Sequence, residues 1–143
     1  MNTPSQADTS AFANQLARLI TAGTTERELV ATVARFHRRS TPDRKRADLA
    51  HLSGSELNTV RKLAALLRVA NALDASHQQP VRELRALQRN GTVTLRLTLR
   101  APADLELWDV DREGQFFREV FRKRLELVVR RDSARARQAL STA

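Results

Sequence analysis

Residues Leu57 to His77 read LNTVRKLAALLRVANALDASH. Leu57, Val60, Leu63, Ala64, Leu67, Ala70 and Leu73 recur at spacings of three and four, which places them on one face of an α-helix. Leu66 and Val69 widen that face, so the helix is expected to be buried over much of its girth. Ser53 stands where an N-cap belongs, with Glu56 three residues on, the spacing of a capping box. Arg61, Lys62 and Arg68 must leave the core and make one flank cationic, and Pro80 stops any continuation. The rest of the chain has to supply cover for so apolar a helix.

The chain has 143 residues, 41% apolar and 29% charged, which suits a single soluble globular domain with a real core. It has no Cys, which excludes disulfides, thiolate metal sites and a Cys nucleophile. No apolar run approaches the ~20 residues of a membrane span. The opening MNTPSQADTSAF lacks the basic-then-apolar layout of a signal peptide, so a cytoplasmic location is expected. A formal charge of +9 and a pI near 11.5 favour polyanionic partners. A solvated basic surface with no partner is the plain alternative.

Residues 1–9 are polar and expected to be disordered. Phe12, Leu16, Leu19 and Ile20 mark a short amphipathic helix that Gly23 ends. Thr24 or Thr25 can cap a second helix, with Leu29, Val30, Val33, Ala34 and Phe36 as its apolar face. Residues 40–55 read as a loop, with a helical turn near Ala47 to His51. After Pro80 the period becomes alternating. Asn90-Gly91 is a strong signal for a type I′ hairpin turn. A two-residue turn there sets Leu84 opposite Leu97 and Ala86 opposite Leu95, on one sheet face. Leu105 and Leu107 then suggest a third short strand ending at Trp108. Val110, Phe116, Phe117, Val120 and Phe121 fit a helix of about a dozen residues, and Leu125, Leu127 and Val129 a last strand. From Arg130 on, a basic tail is expected to fray. The expected fold class is α+β: a helical part over 10–79, then a β-β-β-α-β, mostly antiparallel module over 80–130, with a tail over 131–143.

The densest cationic stretch runs from Arg35 to Arg46. It gathers Arg35, His37, Arg38, Arg39, Arg44, Lys45 and Arg46, with only Asp43 interrupting. Part of it suits a helix C-terminus, where each cation contributes roughly 0.3–1 kcal/mol. The chain has one Trp, no Tyr and five Phe that fit helix cores, so base stacking is disfavoured. Arginine forks that take phosphate oxygens in pairs fit better. Catalytic patterns are missing: there is no His-Glu-x-x-His, no Gly-x-Ser-x-Gly, and four Gly in all cannot build a glycine-rich phosphate loop. No catalytic residue is assigned. Asp74 and His77, three apart at a helix C-terminus, could face one cleft, but as a metal pair they are incomplete. No metal or cofactor is expected in this chain.

Two stretches resemble the C-terminal region of the exopolyphosphatase / guanosine pentaphosphate phosphohydrolase family. Glu28 to Pro42, ELVATVARFHRRSTP, is similar to the family's ARYHR segment, and Leu63 to Val81, LAALLRVANALDASHQQPV, to its LAALLRLADALDRSH segment. The hairpin, Leu105-Glu106-Leu107-Trp108 and Phe116-Phe117 also resemble the family's closing pattern. The resemblance covers roughly residues 19–130. It implies a helical domain related to the His-Asp metal phosphohydrolases, followed by a small α+β module. In the family this region lines a basic channel for polyphosphate and contributes to dimerisation. Hydrolysis there belongs to N-terminal actin-like domains that use Mg²⁺, and the expectation is a free-standing module without them. By position the resemblance makes Arg35, His37, Arg38 and Arg39 anion contacts, and Arg68, Asp74 and His77 cleft residues; Arg68 is also expected among the polyanion contacts and Asn71 in the cleft. The family's Asp in LADALD is Asn71 here, and the helices with its His-Asp and His-rich segments have no counterpart. A His-Asp metal centre is therefore expected to be dismantled.

The leading expectation is a non-catalytic module that binds polyphosphate or another phosphate-rich anion. Cover missing from the long helix would favour a homodimer or a partner subunit. The alternatives are a remnant or subunit of a phosphoanhydride hydrolase completed by separate actin-like domains, and a basic nucleic-acid-binding protein using the tail from Arg130 to Arg137.

Overall fold

The computed structural model describes residues 24–38, 40–43 and 45–131. The expected helix at Phe12 to Ile20, the Gly23 stop and the tail beyond Arg131 lie outside the described residues. The fold is α+β, in the order α1 (Thr24–Arg35), a 3₁₀ turn (Ala47–Leu49), α2 (Gly54–Ala72), β1 (Val81–Arg89), β2 (Thr92–Leu99), α3 (Asp104–Phe121) and β3 (Arg124–Arg131). The chain gathers into two compact units, one up to Val60 and one from Arg61 on.

In the first unit Phe36, Pro42, Leu49, Leu57 and Val60 are buried. Of the expected face of α1, Leu29 and Val33 are half-buried, while Val30 and Ala34 are exposed. The capping box forms as its spacing requires. The Ser53 amide donates to Glu56 Oε2 at 2.7 Å, and the Glu56 amide donates to Ser53 Oγ at 3.2 Å. These bonds, foremost that from the Ser53 amide, hold the Glu56 carboxyl below its ordinary range.

α2 departs from its expected burial. Leu57, Val60, Ala64, Ala65, Val69 and Ala72 are buried, whereas Leu63, Leu66 and Leu67 are 47%, 50% and 36% exposed. A helix with leucines on both sides does not declare its inner face by periodicity. Alanine lets another backbone come close, and the side that carries Ala64, Ala65 and Ala72 is the buried one, while Ala70, expected on the inner face, is exposed. The helix also ends before Pro80. Turns made by the Asp74, Ala75 and His77 amides on the Asn71, Ala72 and Asp74 carbonyls follow it, with His77 and Gln79 at φ 57 and 50.

The second unit is a three-stranded sheet in the order β1-β2-β3. The hairpin is as expected: Leu84 faces Leu97 and Ala86 faces Leu95. Asn90 and Gly91 both have positive φ, 49 and 73, as a type I′ turn requires. Two expectations fail downstream. Leu105 and Leu107 do not form a strand; they belong to the first turn of α3, where Asp104 and Glu106 complement the helix N-terminus. Two alternating leucines are too short a run to separate the two periods. β3, moreover, pairs parallel to β2, from Thr92 with Arg124 to Leu99 with Arg131, so the module is a mixed β-β-α-β sheet. An 18-residue helix rises about 27 Å, and the 8-residue strand β2 about 26 Å. α3 thus returns the chain to the end where β2 began, and the Arg124 amide donates to Gly91 O at 3.0 Å. Arg130 and Arg131 continue β3 and do not fray, because backbone pairing is indifferent to their charge. Val69, Ala72, Leu95, Leu97, Leu99, Ala103, Val110 and Phe117 form the core, with Leu125 and Leu127 packed against it.

Candidate anion-binding site

The basic stretch is organised by one ring and one carboxylate. Phe36 closes α1, its amide donating to the Thr32 and Val33 carbonyls at 3.3 and 3.1 Å, and its ring is fully buried. The guanidinium of Arg35 lies 5.3 Å from the ring centroid and that of Arg46 lies 5.1 Å away. Both arginines also converge on Asp48. Arg35 Nη2 donates to Oδ2, and Arg46 donates through Nε to Oδ1 and Nη2 to Oδ2 at 3.1 Å each. The hydrogen bonds from Arg46 lead the lowering of the Asp48 carboxyl, and Asp48 in turn raises Arg46. A turn of chain sets Arg46 here: the Lys45 amide donates to Asp43 Oδ1 at 3.2 Å and the Arg46 amide to Asp43 O at 3.1 Å, an Asx-turn geometry. The two guanidiniums are fixed, yet their side chains keep 54% and 41% of their surface in water.

His37 Nδ1 donates to the Ala34 carbonyl, which leaves Nε2 as the ring's other polar edge. Arg38 and the Lys45 side chain are exposed and form no ion pair among the described residues. Arg39 and Arg44 lie outside the described residues. The first unit thus brings together Arg35 and Arg46, with Lys45 next in sequence.

The remaining expected site residues belong to the second unit, and the side chains of Arg68 and Asp74 act on the fold. Arg68 Nε donates to Glu113 Oε2 at 2.6 Å, with side chains 13% and 11% exposed. Its guanidinium lies 4.8 Å from the Phe116 centroid, and its buried Nη1 has no hydrogen-bond partner among the described residues. Asp74 Oδ1 accepts the Gln79 amide at 2.7 Å and so shapes the turn after α2. Asn71 and His77 are exposed. Among the described residues, no group of three His, Asp or Glu side chains is placed to hold a metal ion, and no helix is long and apolar enough to cross a membrane.

Glu106 is a buried carboxylate that periodicity did not single out. It is 2% exposed, and Oε1 accepts both the Ser76 amide, at 2.8 Å, and the Ser76 hydroxyl. Burial pushes its carboxyl up, but the Ser76 hydrogen bonds and its own helix amide together outweigh it, and the group sits below its ordinary range. A lowered folded pKa adds stability above the unfolded pKa and loses it as pH falls through the folded value. Glu106→Gln is therefore expected to lower Tm at neutral pH, with the gap to the parent narrowing as the pH is taken down through the carboxylate range. Thermal unfolding followed by circular dichroism against pH checks this; a gap that stays constant contradicts it.

Asp48 was also missed, because it lies just beyond the basic stretch and 13 residues from Arg35. No protein-family model matches the chain, and comparison with curated proteins finds no match.

Proposed function

We propose that the chain is a non-catalytic module, working in the cytoplasm, that binds polyphosphate or another phosphate-rich anion. Its helical part would be a His-Asp-like domain related to the C-terminal region of exopolyphosphatases. The observation that carries this reading is the pair Arg35 and Arg46, held over the Phe36 ring and against Asp48 with their side chains about half in water. Stacking fixes the rotamers before a ligand arrives, which lowers the entropic cost of binding. Arg38 and Lys45 add charge without a competing carboxylate of their own. Exposed Leu63, Leu66 and Leu67 support a second copy or a partner subunit on α2.

The tests are Arg35→Ala combined with Arg46→Ala and, separately, Arg38→Ala combined with Arg39→Ala, each titrated with long-chain inorganic polyphosphate over a salt series. Losing two phosphate contacts is expected to weaken binding and to flatten the slope of log affinity against log salt by roughly 1–2. Unchanged affinity and slope reject the site.

A further inference from the structure

The second unit carries a different cluster of arginines, on the sheet face turned away from the core. Leu95, Leu97 and Leu99 point into the core, so by alternation Thr94, Arg96 and Thr98 point out. On that outer face Arg85 of β1 stands directly opposite Arg96 of β2, and Arg130 of β3 is paired with Thr98, one outward step along. Two like charges directly opposite destabilise a sheet. Here the nearest acid is Glu83, whose Oε1 accepts Arg85 Nε at 2.8 Å in a pair 51% and 76% exposed. The side chains of Arg96 and Arg130 form no hydrogen bond or ion pair among the described residues. Arg85, Arg96, Arg130, Thr98 and Glu83, together with Leu97, line one open hollow of about 260 Å³.

We propose that this hollow is a binding site for a compact diphosphate group. The local formal charge of three arginines against one glutamate calls for a multivalent anion. Each guanidinium offers a fork that matches two phosphoryl oxygens, and Thr98 adds a hydroxyl. An anion between Arg85 and Arg96 converts their repulsion into a clamp. The hollow is open to solvent on the outer face, so a compact anion can reach all three guanidiniums. Among the described residues of the three strands, the large apolar side chains at outward positions are Leu87 and Val128. With no ring to stack a base on, recognition rests on the phosphoryl oxygens. The site is independent of the arginine pair over Phe36.

Calorimetric titration of the full chain with inorganic pyrophosphate tests this, with a nucleoside diphosphate as the second ligand. Pyrophosphate is expected to bind saturably at ~150 mM salt. Arg96→Ala and Arg130→Ala, both at exposed positions, are each expected to lose about tenfold or more in affinity. Arg96→Lys, which keeps the charge and loses the fork, should fall between. Arg89→Ala, on the same face but at the hairpin end, should change affinity by less than about twofold. The Arg38→Ala, Arg39→Ala protein should bind pyrophosphate like the parent, which separates this site from the one proposed above. A nucleoside diphosphate that binds no tighter than pyrophosphate makes the free anion the ligand; one that binds tighter makes it the nucleotide. No saturable binding, affinity unchanged in Arg96→Ala, or an equal loss in Arg89→Ala overturns the proposal.

Discussion

Phe36→Ala is expected to destabilise the first unit by about 3–5 kcal/mol, the usual cost of emptying a buried aromatic site. The ring is fully buried, and the other buried side chains among the described residues of this unit are Pro42, Leu49, Leu57 and Val60. The ring is also the face against which Arg35 and Arg46 lie, and each such contact contributes roughly 0.5–1 kcal/mol at an exposed site. Urea unfolding followed by circular dichroism should show an early transition in the variant. Phe36→Leu keeps most of the volume and should cost less than about 1.5 kcal/mol. It removes the π face, so the two guanidiniums lose their support and polyphosphate affinity should fall while the protein stays folded. An alanine variant as stable as the parent would mean that the unit is not organised around this ring.

Glu113→Ala is the other large effect expected. It strips the carboxylate from Arg68 Nε and leaves a cation that is 13% exposed, against the Phe116 ring, with one nitrogen already unpartnered. Removing one member of such a pair typically costs 3–5 kcal/mol, most of it the burial of the charge left behind. Replacing both partners, as Arg68→Met with Glu113→Leu, should recover much of the loss. A double-mutant cycle by thermal unfolding measures the coupling, and additive single effects would contradict the pairing. The result also bears on the expectation that Arg68 contacts a polyanion, since its guanidinium is largely buried against Phe116 with Nε on Glu113.

Local features were legible in the sequence because they are fixed within a few residues. The Ser53–Glu56 box, the Asn90-Gly91 turn and the register it imposes on Leu84 and Leu97 needed only short-range geometry. That register also implies Arg85 opposite Arg96, a pairing the alternation around Leu95 and Leu97 contained. Features settled over longer distances were not legible. Whether Leu105 and Leu107 begin a helix depends on the length α3 must span to lay β3 beside β2. The buried side of α2 depends on what approaches Ala64, Ala65 and Ala72. In the site, the basic run from Arg35 to Arg46 was plain, but its organiser Asp48 lies 13 residues from Arg35. The carboxylate that engages Arg68 is 45 residues away. Charge clusters can be read from spacing; the acids that neutralise them come from the tertiary fold.

The central claim, that this basic chain binds phosphate-rich anions specifically, is tested most directly by titrating the full protein. Long-chain polyphosphate and DNA of matched phosphate content would be compared at ~150 mM salt, where diffuse attraction is largely screened. A clear preference for polyphosphate is predicted, because Arg35 and Arg46 are held in place over Phe36, while Trp108, an exposed ring that could stack a base, lies in the other unit. Equal binding to both polymers, or none to either, would contradict it and mark the charge as a generic basic surface.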